Sequence, residues 1–175
     1  MEQKLQRWRK YFFHVPELDL NSDQRGLLRD KFEFQRKKGY MFQSESLDCY
    51  YTNTKMLEDI YPEHIIEDIN KICKGYEFLA NYGEVLRHRD RIRFAALTIP
   101  VYNEDEVGTE FWDEAQSEVI ENLHYDNKTW IMRTQVPHSV RKKTPNIRVF
   151  WQGSIHGMSF DDVMYEYEEG NIFKS

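Results

Sequence analysis

The order of apolar and polar positions divides the chain near residue 75. Before that point, two stretches repeat apolar residues at helical spacing. Asn21 or Ser22 can cap a helix running to about Lys38, with Leu27, Leu28 and Phe32 on one side and Gly39 as its stop. Pro62 opens a second helix, whose stripe of Ile65, Ile66, Ile69, Ile72 and Cys73 ends at Gly75. Tyr11–Val15, closed by Pro16, reads as a short strand or an apolar anchor. Residues 40–55 read as strand and loop without a definite layout. From Tyr76 onward the period shortens to that of strands, expected near Tyr76–Ala80, Gly83–His88, Arg93–Val101, Thr109–Trp112, Val119–Leu123, Thr129–Gln135, Ser139–Arg141 and Ile147–Ile155. Turn residues separate them at Asn103–Glu106, Asp126–Lys128 and Lys143–Asn146. Ser159, followed by Asp161 and Asp162, opens a last short helix that Gly170 closes.

Helices followed by some eight strands imply an α+β or mainly-β domain in which helices brace a barrel or sandwich. The 175 residues suit a single domain. Its parts are a helical and irregular support (1–75), a β core (76–155) and a helical C-terminal extension (156–175). Aromatic residues make up 15% of the chain, which favours a β-rich core. A net charge of -6 argues against nonspecific nucleic-acid binding. Two cysteines, Cys49 and Cys73, form neither a metal spacing nor a disulfide framework, so a reducing compartment fits. The opening Met1–Lys10 lacks the apolar core of a signal peptide, and no run is long enough to span a membrane. A cytoplasmic protein is the expectation.

The candidate chemistry starts at His88-Arg89-Asp90. In a strand, residues i and i+2 share a face, so His88 and Asp90 can offer an imidazole nitrogen and a carboxylate oxygen side by side. A second histidine would complete the two-histidine, one-carboxylate set that holds non-haem Fe(II) with open positions. His138 is the preferred partner, because Pro137 belongs at a strand start or edge. His124 is the rival, without an arginine at a comparable offset. Arg148 lies ten positions after His138, on a strand where Arg148, Phe150 and Gln152 face one way and Ile147, Val149 and Trp151 the other. An inward-facing arginine needs an anionic partner, and a guanidinium is the usual fork for a carboxylate. Arg87, Arg89, Arg91 and Arg93 crowd the motif, either to steer an anion or as a solvated face. His14, His64 and His156 read as ordinary surface or core histidines.

Over roughly residues 76–155 these pieces resemble the 2-oxoglutarate/Fe(II)-dependent dioxygenases, on their prolyl and aspartyl/asparaginyl hydroxylase side. Asn81-Tyr82-Gly83 stands at a familiar distance before the motif. His88-Arg89-Asp90 looks like the proximal ligand pair. Asn103–Phe111 is similar to a loop and "Gly-Gly-x-Thr-x-Phe"-like strand, with one of its glycines kept. Pro137-His138-Ser139-Val140, followed by Arg148, resembles the distal ligand and the arginine that grips the 5-carboxylate of 2-oxoglutarate. Many relatives place a serine two after that arginine, where this chain has Phe150.

The resemblance implies a double-stranded β-helix (jelly-roll, cupin-like) core with N-terminal bracing helices. It implies Fe(II) on His88, Asp90 and His138, with these three as the catalytic set. Arg148 would bind 2-oxoglutarate as co-substrate, and O2 would be the oxidant. Tyr82 and Thr98 are candidates to touch the co-substrate, with core packing as the plain alternative. The implied activity is hydroxylation of an amino acid, a peptidyl side chain or a small metabolite, gripped by residues 40–60 and 103–118, where Tyr50, Tyr51 and Trp112 stand. The competing reading is a cupin-like jelly roll that binds metal or ligand without O2 chemistry.

Overall fold

A computed structural model describes residues 10–141 and 146–174. In chain order the elements are β1 (Phe12–His14), α1 (Ser22–Lys38), β2 (Met41–Gln43), β3 (Leu47–Tyr51), α2 (Glu63–Ile72), β4 (Gly75–Asn81), β5 (Val85–His88), β6 (Ala95–Tyr102), β7 (Thr109–Trp112), β8 (Val119–Leu123), β9 (Trp130–Arg133), β10 (His138–Val140), β11 (Arg148–Ile155) and α3 (Phe160–Glu168). The expected turn at Lys143–Asn146 lies, except for Asn146, outside the described residues.

The helices form where the sequence caps them. The Asn21 side chain accepts the Gln24 N–H, and the Gln24 side chain accepts that of Asn21, a reciprocal cap on α1. Ser159 and Asp162 do the same for α3. Leu28 and Phe32 of α1 are buried, whereas Leu27, expected beside them, is 45% exposed. One residue along a helix is about 100° around it, which carries Leu27 off the stripe. The isoleucines of α2 are all buried. That helix ends at Ile72, short of Gly75, because the Lys74 N–H is taken by the Ser154 carbonyl and Gly75 already belongs to β4.

The strands make two antiparallel sheets, ordered β1-β9-β6-β11-β4-β3-β2 and β5-β10-β7-β8. Residues 11–51, expected to be support, therefore add three strands to the larger sheet. Alternation along β6 and β11 builds two cores. Leu97, Ile99, Val101, Val149 and Trp151 pack with Leu28, Phe32, Ile69, Phe160 and Val163 of the helices. Ala96, Met132 and Phe150 face the other way and meet Phe111 and Leu123 of the smaller sheet. The larger sheet thus has one face on helices and one on the smaller sheet, and the candidate residues lie between the sheets. No described helix is long and apolar enough to cross a membrane.

Candidate metal centre

His88 and His138 stand directly opposite each other in the antiparallel register of β5 and β10, with ring centroids 4.4 Å apart. Strand β5 stops at His88, so Asp90 shares no strand face with it. Asp90 lies in the irregular segment after β5, pinned by its N–H to the Thr134 carbonyl, 3.0 Å away. Its carboxylate still reaches back, with Oδ1 3.8 Å from His88 Nε2. The ligating atoms of His88, Asp90 and His138 all lie within 4.8 Å of one another.

Each imidazole is fixed by its own strand. Nδ1 of His88 is 2.8 Å from the Leu86 carbonyl, and Nδ1 of His138 is 2.9 Å from that of Val136. A carbonyl only accepts, so Nδ1 carries the hydrogen in both rings and Nε2 presents its lone pair. Burial, reinforced by the neighbouring His88, pushes the His138 pKa down to about 4. Two imidazole lone pairs and a carboxylate converge on one space, which is the donor set for a divalent cation.

The same space opens into a cavity of about 100 Å³ whose lining includes both histidines, Arg93 and Gln152 as well as Arg148, Asn81, Thr109 and Tyr125. Arg148 is 4% exposed. Its Nη1 donates to Asn81 Oδ1 at 2.9 Å and its Nη2 to Thr109 Oγ1 at 3.2 Å, while Nε has no partner. Its Cζ lies 4.2 Å from the Phe150 ring centroid and 5.1 Å from that of Tyr125. Burial lowers the guanidinium pKa from its usual value, with Tyr125 opposing. No carboxylate pairs with Arg148 among the described residues, so a buried cation faces a cavity with only neutral partners. That arrangement is costly unless an anion fills it.

The other sequence expectations divide. Thr98 lines the cavity, but its hydroxyl donates to the Trp130 carbonyl at 3.0 Å. Tyr82 does not line it and is 43% exposed. Side chains alternate past the end of β4, so Asn81 points in and Tyr82 points out. His124 is exposed beyond β8, beside Asn122 and away from the cavity. His14 pairs with Asp19, and His64 is exposed in the first turn of α2. Tyr50 packs against Phe32, and Trp112 lies beneath Arg87 outside the cavity. Sequence reasoning missed Asn81, Thr109 and Gln152 as lining residues, although strand alternation from Arg148 and Phe111 was enough to find the last two. Tyr125 sits between strands and carries no pattern that points to it.

No protein-family model matches the sequence, and no curated protein does so. Solved structures do match. A Pseudomonas putida prolyl-4-hydroxylase superposes with a TM-score of 0.58 at 13% identity, over 83% of this chain and 92% of that one. The non-haem α-ketoglutarate-dependent epimerase SnoN from nogalamycin biosynthesis gives 0.61 at 11%, over 90% and 82%. HygX from Streptomyces hygroscopicus, solved with nickel and 2-oxoglutarate bound, gives 0.57 at 6%, over 89% and 87%. The chain has the fold of the 2-oxoglutarate/Fe(II) oxygenases. At these identities, the likeness to that oxygenase fold extends to the path of the backbone, and the chemistry must be argued from this chain's own side chains.

Proposed function

We propose that this protein is an Fe(II)- and 2-oxoglutarate-dependent oxygenase that hydroxylates an amino acid, a peptidyl side chain or a small metabolite. The observation that carries the proposal is one cavity lined both by His88 and His138, which Asp90 joins as a possible metal-holding set, and by an anion-seeking Arg148. A dicarboxylate with a 2-oxo acid group matches both. The strand order supports the double-stranded β-helix reading: of the eight strands from β4 on, β4, β6, β9 and β11 lie in the larger sheet and β5, β7, β8 and β10 in the smaller.

His88, Asp90 and His138 would hold the iron, with the two Nδ1–H bonds keeping the rings aimed. When bound, Fe(II) with 2-oxoglutarate and O2 supplies the oxidation, in which one oxygen atom leaves in succinate alongside CO2 and the other enters the substrate. Arg148, Thr109 and Asn81 would orient the far carboxylate. Phe150, Met132 and Leu79 keep the walls apolar, which excludes water and strengthens the charge contact. A cupin-like protein that only binds a metal has no need of a buried guanidinium, so Arg148 favours the oxygenase. The test is succinate release from 2-oxoglutarate with Fe(II) and O2. Wild type is expected to release it and Asp90→Ala to lose the activity, whereas equal release by both would remove Asp90 from the site.

A further inference from the structure

We propose that Arg93 is the positioning residue of the metal centre, holding one oxygen of the Asp90 carboxylate so that the other faces the ion. The inference rests on the metal reading above. Arg93 Nε and Nη2 each lie 2.7 Å from the same atom, Asp90 Oδ2. Oδ1 is left pointing at His88 Nε2. Asp90 has no strand ladder to fix it, since β5 ends two residues earlier. The guanidinium supplies that constraint instead, because a planar fork restrains both the distance and the tilt of a carboxylate.

Arg93 is itself held from behind. Its Nη1 donates to Gln152 Oε1 and lies 3.6 Å from Glu77 Oε1. Its carbonyl accepts the Thr134 hydroxyl at 2.6 Å, the same residue whose own carbonyl takes the Asp90 N–H. The backbone at Asp90 and at Arg93 is thus tied to one residue just beyond β9. The neighbouring arginines are employed elsewhere: Arg87 covers Trp112, Arg89 pairs with Glu114, and Arg91 is exposed. A cation this close to a divalent ion's ligand repels the ion, so its presence calls for a compensating gain. Glu77 offsets the charge, and orientation of Asp90 is the gain.

The two effects have opposite signs, and that makes the inference testable. Mn(II) alone is titrated against the full chain, and the loss of the free-ion electron paramagnetic resonance signal gives the affinity. Arg93→Met is expected to weaken binding by roughly 10- to 100-fold, the usual cost of losing an outer-shell partner of a ligand. Arg93→Lys keeps the charge with a single donor head and is expected to fall between that variant and wild type. Thermal unfolding of the metal-free proteins checks that each is folded, and if Arg93→Met is not, Arg93→Lys decides alone. Affinity equal to or tighter than wild type in the folded variants overturns the role of Arg93 while leaving the metal site intact. A wild type that binds no Mn(II) overturns the metal reading, and this inference with it.

Discussion

Arg148 is the residue whose environment says most about function, because its stability and binding roles oppose each other. A buried guanidinium with neutral partners and an unpaired Nε costs desolvation energy that an apolar residue would not. Arg148→Met is therefore expected to keep or raise the unfolding free energy of the ligand-free protein. The same change should weaken 2-oxoglutarate binding by roughly 2 kcal/mol or more, about 30-fold, because it removes one partner of a buried charge pair. Denaturant unfolding and calorimetric titration read the two effects separately. His138 gives the pH dependence. Its folded pKa of about 4 lies below the ordinary 6.5, so acid protons bind the unfolded chain first. The metal-free protein should lose on the order of 3 kcal/mol from this group between about pH 6.5 and pH 4. His138→Gln lacks the titration, and the difference between the two urea-unfolding profiles across that window measures it. At this scale, the meeting of His88, Asp90 and His138 and the burial of Arg148 were legible in the sequence because each is a charged or potentially coordinating residue at strand spacing. Asn81 and Tyr125 were not, since neutral polar residues gain their meaning only from the cation they surround.

At the scale of elements, strands with one buried face announced themselves. Residues Thr109–Trp112 and Val119–Leu123 form strands where alternation placed them. Strand β2 escaped because all three of its residues are exposed, so it has no alternation to show. Strand β1 was ambiguous for the opposite reason: Phe12 joins the core between the sheets and Phe13 the core beneath the helices. Asp90 departs from the i, i+2 expectation, since β5 ends before it and its carboxylate reaches back to His88 from outside the strand. Pairing of β7 with β8 depends on Gly108. A Cβ there would lie 2.5 Å from the Leu123 carbonyl oxygen, which belongs to the backbone and cannot step aside. Gly108→Ala is expected to destabilise the protein by about 1–3 kcal/mol through overpacking, read as a lowered denaturant midpoint. It should also weaken 2-oxoglutarate binding, because the displaced neighbour is Thr109, the partner of Arg148 Nη2.

The whole molecule brings His88 and His138 of the smaller sheet and Arg148 of the larger one to line a single cavity. Neither the pair nor the arginine is informative alone. A histidine pair across two strands is commonplace, and a buried arginine can be structural. Their meeting in one cavity depends on how the two sheets face each other, which sequence spacing only suggests and the fold decides. Of the aromatic residues in the stretches expected to grip the substrate, Tyr50 packs in the core and Trp112 lies under Arg87, while Tyr51 is exposed.

The central claim is that metal and anion bind together in this one cavity. Calorimetric titration of 2-oxoglutarate under anoxic conditions, with and without Fe(II), tests it most directly. Wild type should bind 2-oxoglutarate more tightly when Fe(II) is present, and Asp90→Ala should lose that gain. Binding that is absent, or indifferent to Fe(II) in the wild type, would contradict the account.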